Sequence, residues 1–500
     1  MPDLSGNESS VVLAPGYELR ARGLAGRAHE IRSDEIAARS DGGLHDAGLQ
    51  KAIDGAGLAA EFAFEWEVTD DSRPDGETGL MTREGESAVE FAAPALGANV
   101  GYAVLYTDEA GISRWIFPEN TGGVGGNGFR GGGAEVVFHL PRQAPPRPPV
   151  AAESEPSRGT IAKLGRRLVR LLTWATDGVV GAGARFAAEK WENARRPYGF
   201  LRVTPEAIGG EVNWTQLGQG RALLLLHGTF STAQSAFADW LTSPAFAEIY
   251  AHYGQRVFAF NHPSLHHSPA ENVTTMLATL PGGSPLDFDL VAHSRGGLVG
   301  RDLVERSLEQ ASPGQALRVG RVVFVAAPHR GTVLADGEKW FDWIDRYTNL
   351  LTHLPDNPFT LAMEGLLAAI RLAAHGGFKA LPGLNSMLPG GEYLSGIVSP
   401  RVAHGARYHA IAANFTPSDE NLWVRLAKRA GNLWVDKAFG EANDGIVPTQ
   451  GSFETGAIAG GFPIPTGLTR VYERKAQVHH CNYFAHEPAN RQIAEWLMGG

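Results

Sequence analysis

The sequence LVAHSRGGL, residues 290–298, places a serine between an apolar segment and a pair of glycines. The apolar residues predict a strand that ends at Ser294, and a helix is expected from Arg295 onward. The pattern is A-x-S-x-G, a variant of the G-x-S-x-G nucleophile elbow with Ala292 in place of the commoner glycine. Small residues are needed at Ala292 and Gly296 because larger side chains would collide in the strained turn. The strand and helix around the motif argue against a chance match.

Upstream, the segment LLLLHGTF, residues 223–230, predicts a buried strand followed by a tight loop. Acyl transfer needs two N–H donors that stabilise the negative oxygen of the transition state. One comes from the residue after the nucleophile, Arg295, and the other from an early strand–helix loop, where Thr229 is the matching position. We interpret His227 as structural because it stands at the end of the strand.

Downstream, the segment NDGIVP, residues 443–448, follows a predicted late strand. Asp444 in this turn suits the acid of a triad, which orients the imidazole base and stabilises its protonated form. An ordinary Asp-Gly turn is the alternative. Asp419 and Asp436 are rival acids, and Asp419 is the more serious because it lies closer behind the strand predicted at 408–413.

The segment VHHCNYF, residues 478–484, follows the last predicted strand. A base here completes the chain order Ser…Asp…His. We prefer His480 and keep His479 as the second candidate, with a non-catalytic surface pair as the alternative. Cys481 lacks an elbow, so we do not interpret it as a nucleophile.

Short apolar runs alternate with helical patterns from residue 198 onward, which predicts a mostly parallel sheet covered on both faces. The predicted strands are 222–226, 257–260, 288–292, 322–327, 408–413 and 470–473. Sites in such sheets lie at the carboxyl ends of the strands.

These segments, with AAPHRGT at 326–332, resemble the lipase and esterase branch of the α/β-hydrolase superfamily over about 200–500. The resemblance implies an α/β-hydrolase fold, a triad of Ser294, Asp444 and His480, an oxyanion hole formed by the Thr229 and Arg295 N–H groups, and no cofactor. Lipases usually carry Met or Gln-like residues after the serine, and Arg295 departs from that pattern. His329 is expected to support the site without being catalytic. The insertion at about 335–400 is expected to be either a lid over an acyl pocket or an ordinary packed helical layer.

The rest of the chain predicts further parts. We expect a polar, partly mobile segment over 1–60 and a small β-sandwich-like domain over 61–140, because residues 62–68 alternate and 101–118 resemble a hairpin. A proline-rich linker over 141–160 and a helical connector over 161–197 should precede the catalytic domain at 198–500. The connector is basic at its start; packing on the protein itself is favoured over lying on a membrane surface.

Composition excludes several classes of protein. With 44 Lys and Arg against 54 Asp and Glu, the net charge of −10 argues against nucleic-acid binding. The single cysteine and the absence of a signal-like N-terminus predict a cytoplasmic protein. The glycine-rich run 121–133 lacks a phosphate-loop pattern. The group His262, His266 and His267 has no carboxylate near it in sequence, so we predict a loop beside the cleft and no metal.

The sequence thus predicts a serine hydrolase that cleaves carboxylic esters through an acyl-enzyme. Its substrates would be small-molecule esters, lipids or polyesters, and no membrane span is expected, although peripheral contact with lipid stays open. An acyltransferase or amidase using the same triad, and a non-catalytic binding module on this fold, are the alternatives. The sequence makes no prediction of oligomeric state.

Overall fold

The computed structural model contains two compact units. One comprises residues 1–179 and 420–431, and the other residues 180–419 and 432–500. The structure describes residues 3–5, 10–21, 23–32, 46–71, 88–97, 99–108, 111–118, 134–142, 166–176, 182–281, 286–307, 317–332, 340–352, 354, 356–376, 381–397, 405–416, 441–456 and 461–499.

The first unit is a β-sandwich. Its elements are β1 (Asp3–Ser5), β2 (Ser10–Ala14), β3 (Tyr17–Arg20), β4 (Leu24–Glu30), α1 (Asp46–Ala56), β5 (Ala59–Asp71), β6 (Ala88–Pro94), β7 (Val100–Thr107), β8 (Ser113–Ile116), β9 (Glu135–Pro141) and β10 (Arg166–Ala175). A six-stranded sheet has the order β1-β4-β5-β10-β7-β8 and a four-stranded sheet the order β2-β3-β6-β9. All pairings are antiparallel, and the two sheets share one aromatic core, in which the Phe64 and Phe91 rings lie 4.9 Å apart.

The predicted strands in this unit are present, but two predictions about its extent are wrong. Residues 1–60, expected to be a polar segment, supply four strands and one helix. The basic run at the start of the predicted helical connector is strand β10, paired with β5 and β7. Its apolar residues are nearly continuous, and such a run does not separate helix from strand by periodicity. Arg167 is buried and lies over the ring of Trp66, 4.7 Å from its centroid, so its charge does not mark a solvent-facing side. The predicted linker lies mostly outside the described residues.

The second unit is built on a seven-stranded sheet. Its strands are β11 (Gly199–Arg202), β12 (Ala222–Leu226), β13 (Val257–Asn261), β14 (Leu286–His293), β15 (Leu317–Val325), β16 (Arg407–Ala413) and β17 (Thr469–Tyr472). Their order is β11-β13-β12-β14-β15-β16-β17, and only β11 pairs antiparallel among them. Every residue of β12 is buried, as its leucine run predicts for a central parallel strand.

Helices cover both faces of this sheet. They are α2 (Ala182–Arg195), α3 (Trp214–Leu217), α4 (Ala233–Leu241), α5 (Pro244–His252), α6 (Pro269–Thr279), α7 (Gly296–Asp302), α8 (Trp340–Leu351), α9 (Asp356–Gly376), α10 (Pro382–Asn385), α11 (Glu392–Gly396) and α12 (Glu487–Met498), with a π-helical turn at Leu303–Ser307 after α7. Short 3-10 turns lie at Gln450–Ser452, Thr466–Leu468 and Arg474–Ala476. Helix α2 belongs to this unit, so the predicted start of the catalytic domain at 198 is too late.

Strand order positions the site. The chain passes from β12 to β13 on one side and then to β14 on the other, which opens a crevice at the carboxyl ends of β12 and β14. This order, with the serine turn after β14, is the α/β-hydrolase fold predicted from the sequence, preceded by a β unit.

The insertion between β15 and β16 contains helices α8 to α11. Helix α9 is buried along most of its length, including Phe359, Met363 and Leu366. It is therefore a packed layer in this structure, and its opening as a lid stays a prediction. Within the described part of the chain, none of the helices has the length and apolar character needed to span a membrane.

Candidate active site

Ser294 lies in a strained turn between β14 and α7. Its φ of 55° is in the left-handed region, which an L-residue adopts at a cost, and its N–H donates to the Val325 carbonyl at 2.9 Å. A Cβ at Gly296 would lie 2.5 Å from the His227 carbonyl oxygen, so glycine is required two positions after the serine. The sequence motif therefore reports a real steric constraint.

His480 is the histidine that contacts the serine. Its Nε2 lies 2.9 Å from the Ser294 Oγ, and its backbone N–H donates to the Asp444 carbonyl at 3.0 Å. The neighbouring His479 has other contacts: its Nδ1 accepts the Cys481 N–H at 3.2 Å and its ring packs against Phe415. The structure thus places His480, the preferred candidate, in contact with Ser294, and gives His479 other partners.

Asp444 completes a hydrogen-bonded row of three side chains. Its Oδ2 lies 2.9 Å from the His480 Nδ1, and its Oδ1 accepts the N–H groups of Ile446 at 3.0 Å and Val447 at 2.7 Å. Burial by itself would raise the pKa of this carboxyl, but the charge and hydrogen bond of His480 and the two backbone donors lower it below its ordinary value. Asp444 is therefore ionised at neutral pH. The rival acids Asp419 and Asp436 lie outside the described residues.

The loop after β12 passes very close to the serine. A Cβ at Gly228 would lie 2.7 Å from the Ser294 Cβ and 3.1 Å from its Oγ, so only glycine permits this approach. The next residue is Thr229. In the described part of the chain, neither the Thr229 nor the Arg295 N–H donates to a protein acceptor. The role of these two N–H groups as oxyanion donors stays a prediction.

The His227 side chain holds the loop after β12 in place through hydrogen bonds at both ring nitrogens. Its Nδ1 donates to the Gly228 carbonyl at 2.9 Å, its Nε2 accepts the His262 N–H at 3.1 Å, and the two rings stack at 4.1 Å. Burial lowers the pKa of His227 to about 3, so the ring is neutral and both nitrogens are used. These contacts fit the structural role predicted for His227.

Glu192 of α2 is a supporting residue that the sequence did not reveal. Its carboxylate is fully buried and accepts the N–H groups of Ser264, Leu265 and His266 at 2.5–3.1 Å, together with the His266 Nδ1 at 2.6 Å. Ser264 in turn uses its Oγ to accept the N–H of Phe230, next to Thr229. The loop 262–267, which contains the three histidines and is called the histidine loop below, therefore has a carboxylate partner. That partner lies about 70 residues away in sequence.

The side chains of Arg295, His293 and Tyr483 also form hydrogen bonds that hold the site in place. The Arg295 guanidinium is buried and donates to the carbonyls of Gly383, at 3.0 Å, and His267. Burial lowers the pKa of Arg295 to about 10, so it remains charged. The His293 Nε2 donates to the His480 carbonyl at 3.1 Å, and the Tyr483 hydroxyl donates to the Asp444 Oδ2 at 3.1 Å. No sequence signal beyond proximity to the motifs identifies these three roles.

Cys481 and His329 lie outside the row of three side chains. Burial and the charge of Asp444 raise the pKa of the Cys481 thiol, which keeps it protonated. His329 is buried against Phe324 and Phe462, outside the row of three side chains. Across the described residues, His, Cys, Asp and Glu side chains form no group of three suited to a metal ion.

The chain is similar to one family model and to several solved structures. A family model described as "Domain of unknown function (DUF7379)" matches residues 194–498. No curated protein is a significant match. Among solved structures, the mature lipase BlEst2 of Bacillus licheniformis is 15% identical over 54% of this chain and 88% of its own, with a TM-score of 0.31. Lipase 1 of Pelosinus fermentans is 14% identical over 56% and 99%, with a TM-score of 0.38. EstA of Clostridium botulinum is 12% identical over 56% and 87%, with a TM-score of 0.36.

Proposed function

The chain belongs to the family described as domain of unknown function DUF7379, and we propose that it is a carboxylic ester hydrolase with Ser294 as nucleophile. The observation that carries the proposal is the unbroken row from Asp444 through His480 to Ser294, with 2.9 Å at each step. The comparison with lipases and esterases agrees with this at the level of fold.

The row of side chains supplies the proton transfers that ester cleavage needs. In the free enzyme the Ser294 Oγ–H donates to the His480 Nε2, while the His480 Nδ1–H donates to Asp444. His480 takes the serine proton as Oγ attacks the ester carbonyl, and ionised Asp444 stabilises the imidazolium. His480 then protonates the departing alcohol. A water molecule, activated by the same histidine, releases the acid and regenerates Ser294.

The negative oxygen that forms on the substrate needs donors already in place. The Thr229 and Arg295 N–H groups occupy the two loops that meet at Ser294, and neither has a protein acceptor among the described residues. One such donor contributes on the order of 3–4 kcal/mol to stabilisation of the transition state. The polar supports from Glu192, His227 and Arg295 hold these loops before substrate arrives.

The test is hydrolysis of p-nitrophenyl esters of graded chain length by the wild type, Ser294→Ala and Ser395→Ala. Ser395 is an exposed serine on α11 and serves as the matched control. We expect Ser294→Ala to lose activity by on the order of 10⁴–10⁶ and Ser395→Ala to keep it. Comparable activity in Ser294→Ala would refute the proposal. Product analysis with added alcohol or amine, and labelling of Ser294 by a fluorophosphonate, separate ester hydrolysis from acyl transfer, amide cleavage and a non-catalytic role.

A further inference from the structure

A pocket beside Ser294 has a polar wall. It encloses about 50 Å³, opens to solvent, and is lined by Ser294 and His480 among other residues. Ser235, Ala236 and Asp239 of α4 line one side, while α9 lines another through Pro358 and Ala362. Residues 235, 236 and 239 share one face of α4, because positions separated by three or four residues align on a helix. The opposite face carries Phe237, Trp240 and Leu241, which are buried in the core.

Asp239 is the acidic side chain on that wall. Its carboxylate is half-buried and, among the residues that the structure describes, has neither a hydrogen-bond donor nor an ion-pair partner. Its backbone carbonyl accepts the Thr242 hydroxyl at 3.2 Å. The neighbouring hydroxyl of Ser235 is held in the capping box with Thr232, and that of Ser231 donates to the Gly228 carbonyl. These hydroxyls already have partners, whereas the carboxylate does not.

A half-buried charge without a partner is unfavourable, and the cost is recovered when a ligand brings the opposite charge. Burial raises the pKa of the Asp239 carboxyl, and no charge within the described part of the chain offsets this effect. Two aromatic residues, Tyr347 and Phe484, line the same pocket. Aromatic faces also attract cations, and most strongly quaternary ammonium groups.

We infer that Asp239 selects esters that carry a cationic group close to the scissile bond. The inference rests on the proposed ester hydrolysis and specifies its substrate class. Asp239 takes no part in bond breaking; it binds the charge on the acyl or alcohol part of the substrate. An apolar acyl chain would instead leave the carboxylate desolvated and unpaired.

The experiment uses one pair of thioesters and one pair of oxygen esters, and the members of each pair have the same shape and different charge. Acetylthiocholine and S-(3,3-dimethylbutyl) thioacetate place the cation, or its neutral equivalent, in the leaving group. The p-nitrophenyl esters of 4-(trimethylammonio)butyrate and 5,5-dimethylhexanoate place it in the acyl group. For each pair, the ratio of kcat/KM, cationic over neutral, is measured for the wild type, Asp239→Asn and Glu248→Gln. Glu248 is an exposed carboxylate on α5, outside the pocket, so the control removes the same charge.

We expect a ratio of about ten in at least one pair for the wild type and for Glu248→Gln. In Asp239→Asn the ratio should fall to about one, since the amide keeps the shape and removes the charge. The wild-type preference should also weaken between low and high salt, because exposed charge interactions are screened.

A ratio near one in both wild-type pairs, or a preference that survives in Asp239→Asn, would overturn the inference. Ser294→Ala distinguishes this from failure of the proposed function. If the neutral esters are cleaved by the wild type and not by Ser294→Ala, ester hydrolysis stands and only the selectivity is wrong. If no ester in either pair is cleaved, the proposed function fails and the inference fails with it.

Discussion

Replacing Glu192 with glutamine removes a buried charge and keeps the shape of the side chain. In the structure Glu192 Oε2 accepts both the N–H of His266, at 2.9 Å, and its Nδ1, at 2.6 Å, while Oε1 accepts the N–H of Ser264 at 2.5 Å. Glutamine offers one acceptor oxygen and an NH₂ group in place of the second oxygen. At least one donor of the loop, the Ser264 N–H when the amide oxygen takes the Oε2 position, therefore loses its acceptor and faces the NH₂ group.

The expected loss of stability follows from these contacts. Hydrogen bonds to a charged group contribute about 1.5–3 kcal/mol each, and the neutral amide both loses one of them and weakens the others. We expect Glu192→Gln to lower the free energy of unfolding by about 3–5 kcal/mol, which corresponds to a fall in Tm on the order of 10 °C. Activity per folded molecule should also fall, because Ser264 accepts the N–H of Phe230, which follows Thr229, the proposed oxyanion donor.

The assay is denaturant unfolding followed by tryptophan fluorescence, with Glu189→Gln as control. Glu189 lies on the same helix and is exposed, so it undergoes the same chemical change without the buried contacts. A stability loss below about 1 kcal/mol for Glu192→Gln, or one equal to that of Glu189→Gln, would refute the reasoning.

The dependence on pH gives the same prediction a second test. Burial alone would raise the pKa of Glu192, but the hydrogen bond and charge of His266 and the backbone donors lower it. A carboxyl with a lowered folded-state pKa stabilises the protein above its unfolded pKa, about 4.3, and loses that contribution as the pH falls through the folded value. The stability gap between wild type and Glu192→Gln should thus be widest near pH 7 and narrow below about pH 4. A gap that widens in acid contradicts the assignment.

Three other substitutions test the site. Gly228→Ala should lower kcat by about 100-fold or more, because its Cβ would lie 2.7 Å from the Ser294 Cβ. Tyr483→Phe removes the hydroxyl that donates to Asp444 and should lower kcat by about 3–10-fold, measured by initial rates on a saturating ester. Arg295→Lys should lower kcat by about tenfold with KM little changed, since lysine cannot reach both carbonyls that the guanidinium bridges.

Each of these has an outcome that would contradict it. Gly209→Ala is the control for Gly228→Ala, because a Cβ there has nothing within 4 Å, and equal activity of the two variants would show that the loop approach is irrelevant. A full rate in Tyr483→Phe would mean that its hydroxyl does not affect the acid. A higher KM with unchanged kcat in Arg295→Lys would place its effect on substrate binding instead of on the proposed oxyanion donors.

The α/β-hydrolase fold could be predicted from the sequence alone, and so could the candidates Ser294, Asp444 and His480, which the structure brings into one hydrogen-bonded row. Strand β12 is predicted with its observed bounds because its five consecutive apolar residues are too few for a typical helix and are flanked by Gly220 and Gly228. Ser294 is predictable because the elbow imposes a local steric rule on the residues two before and two after it. Asp444 and His480 follow from their order along the chain and the strands they follow.

Tertiary structure decided what depends on contacts between distant residues. Periodicity misassigned β10, since the apolar residues of a central strand lie on both faces and its buried Arg167 packs on Trp66. Hydrophobic periodicity also does not indicate that Glu192 accepts hydrogen bonds from the histidine loop. Nor does it indicate that Asp239 lines the pocket beside Ser294. A carboxylate on a helix has the same local pattern whether solvent, a backbone loop or a substrate faces it. Only the folded chain, by bringing α2 to residues 264–266 and α4 to Ser294, distinguishes these environments.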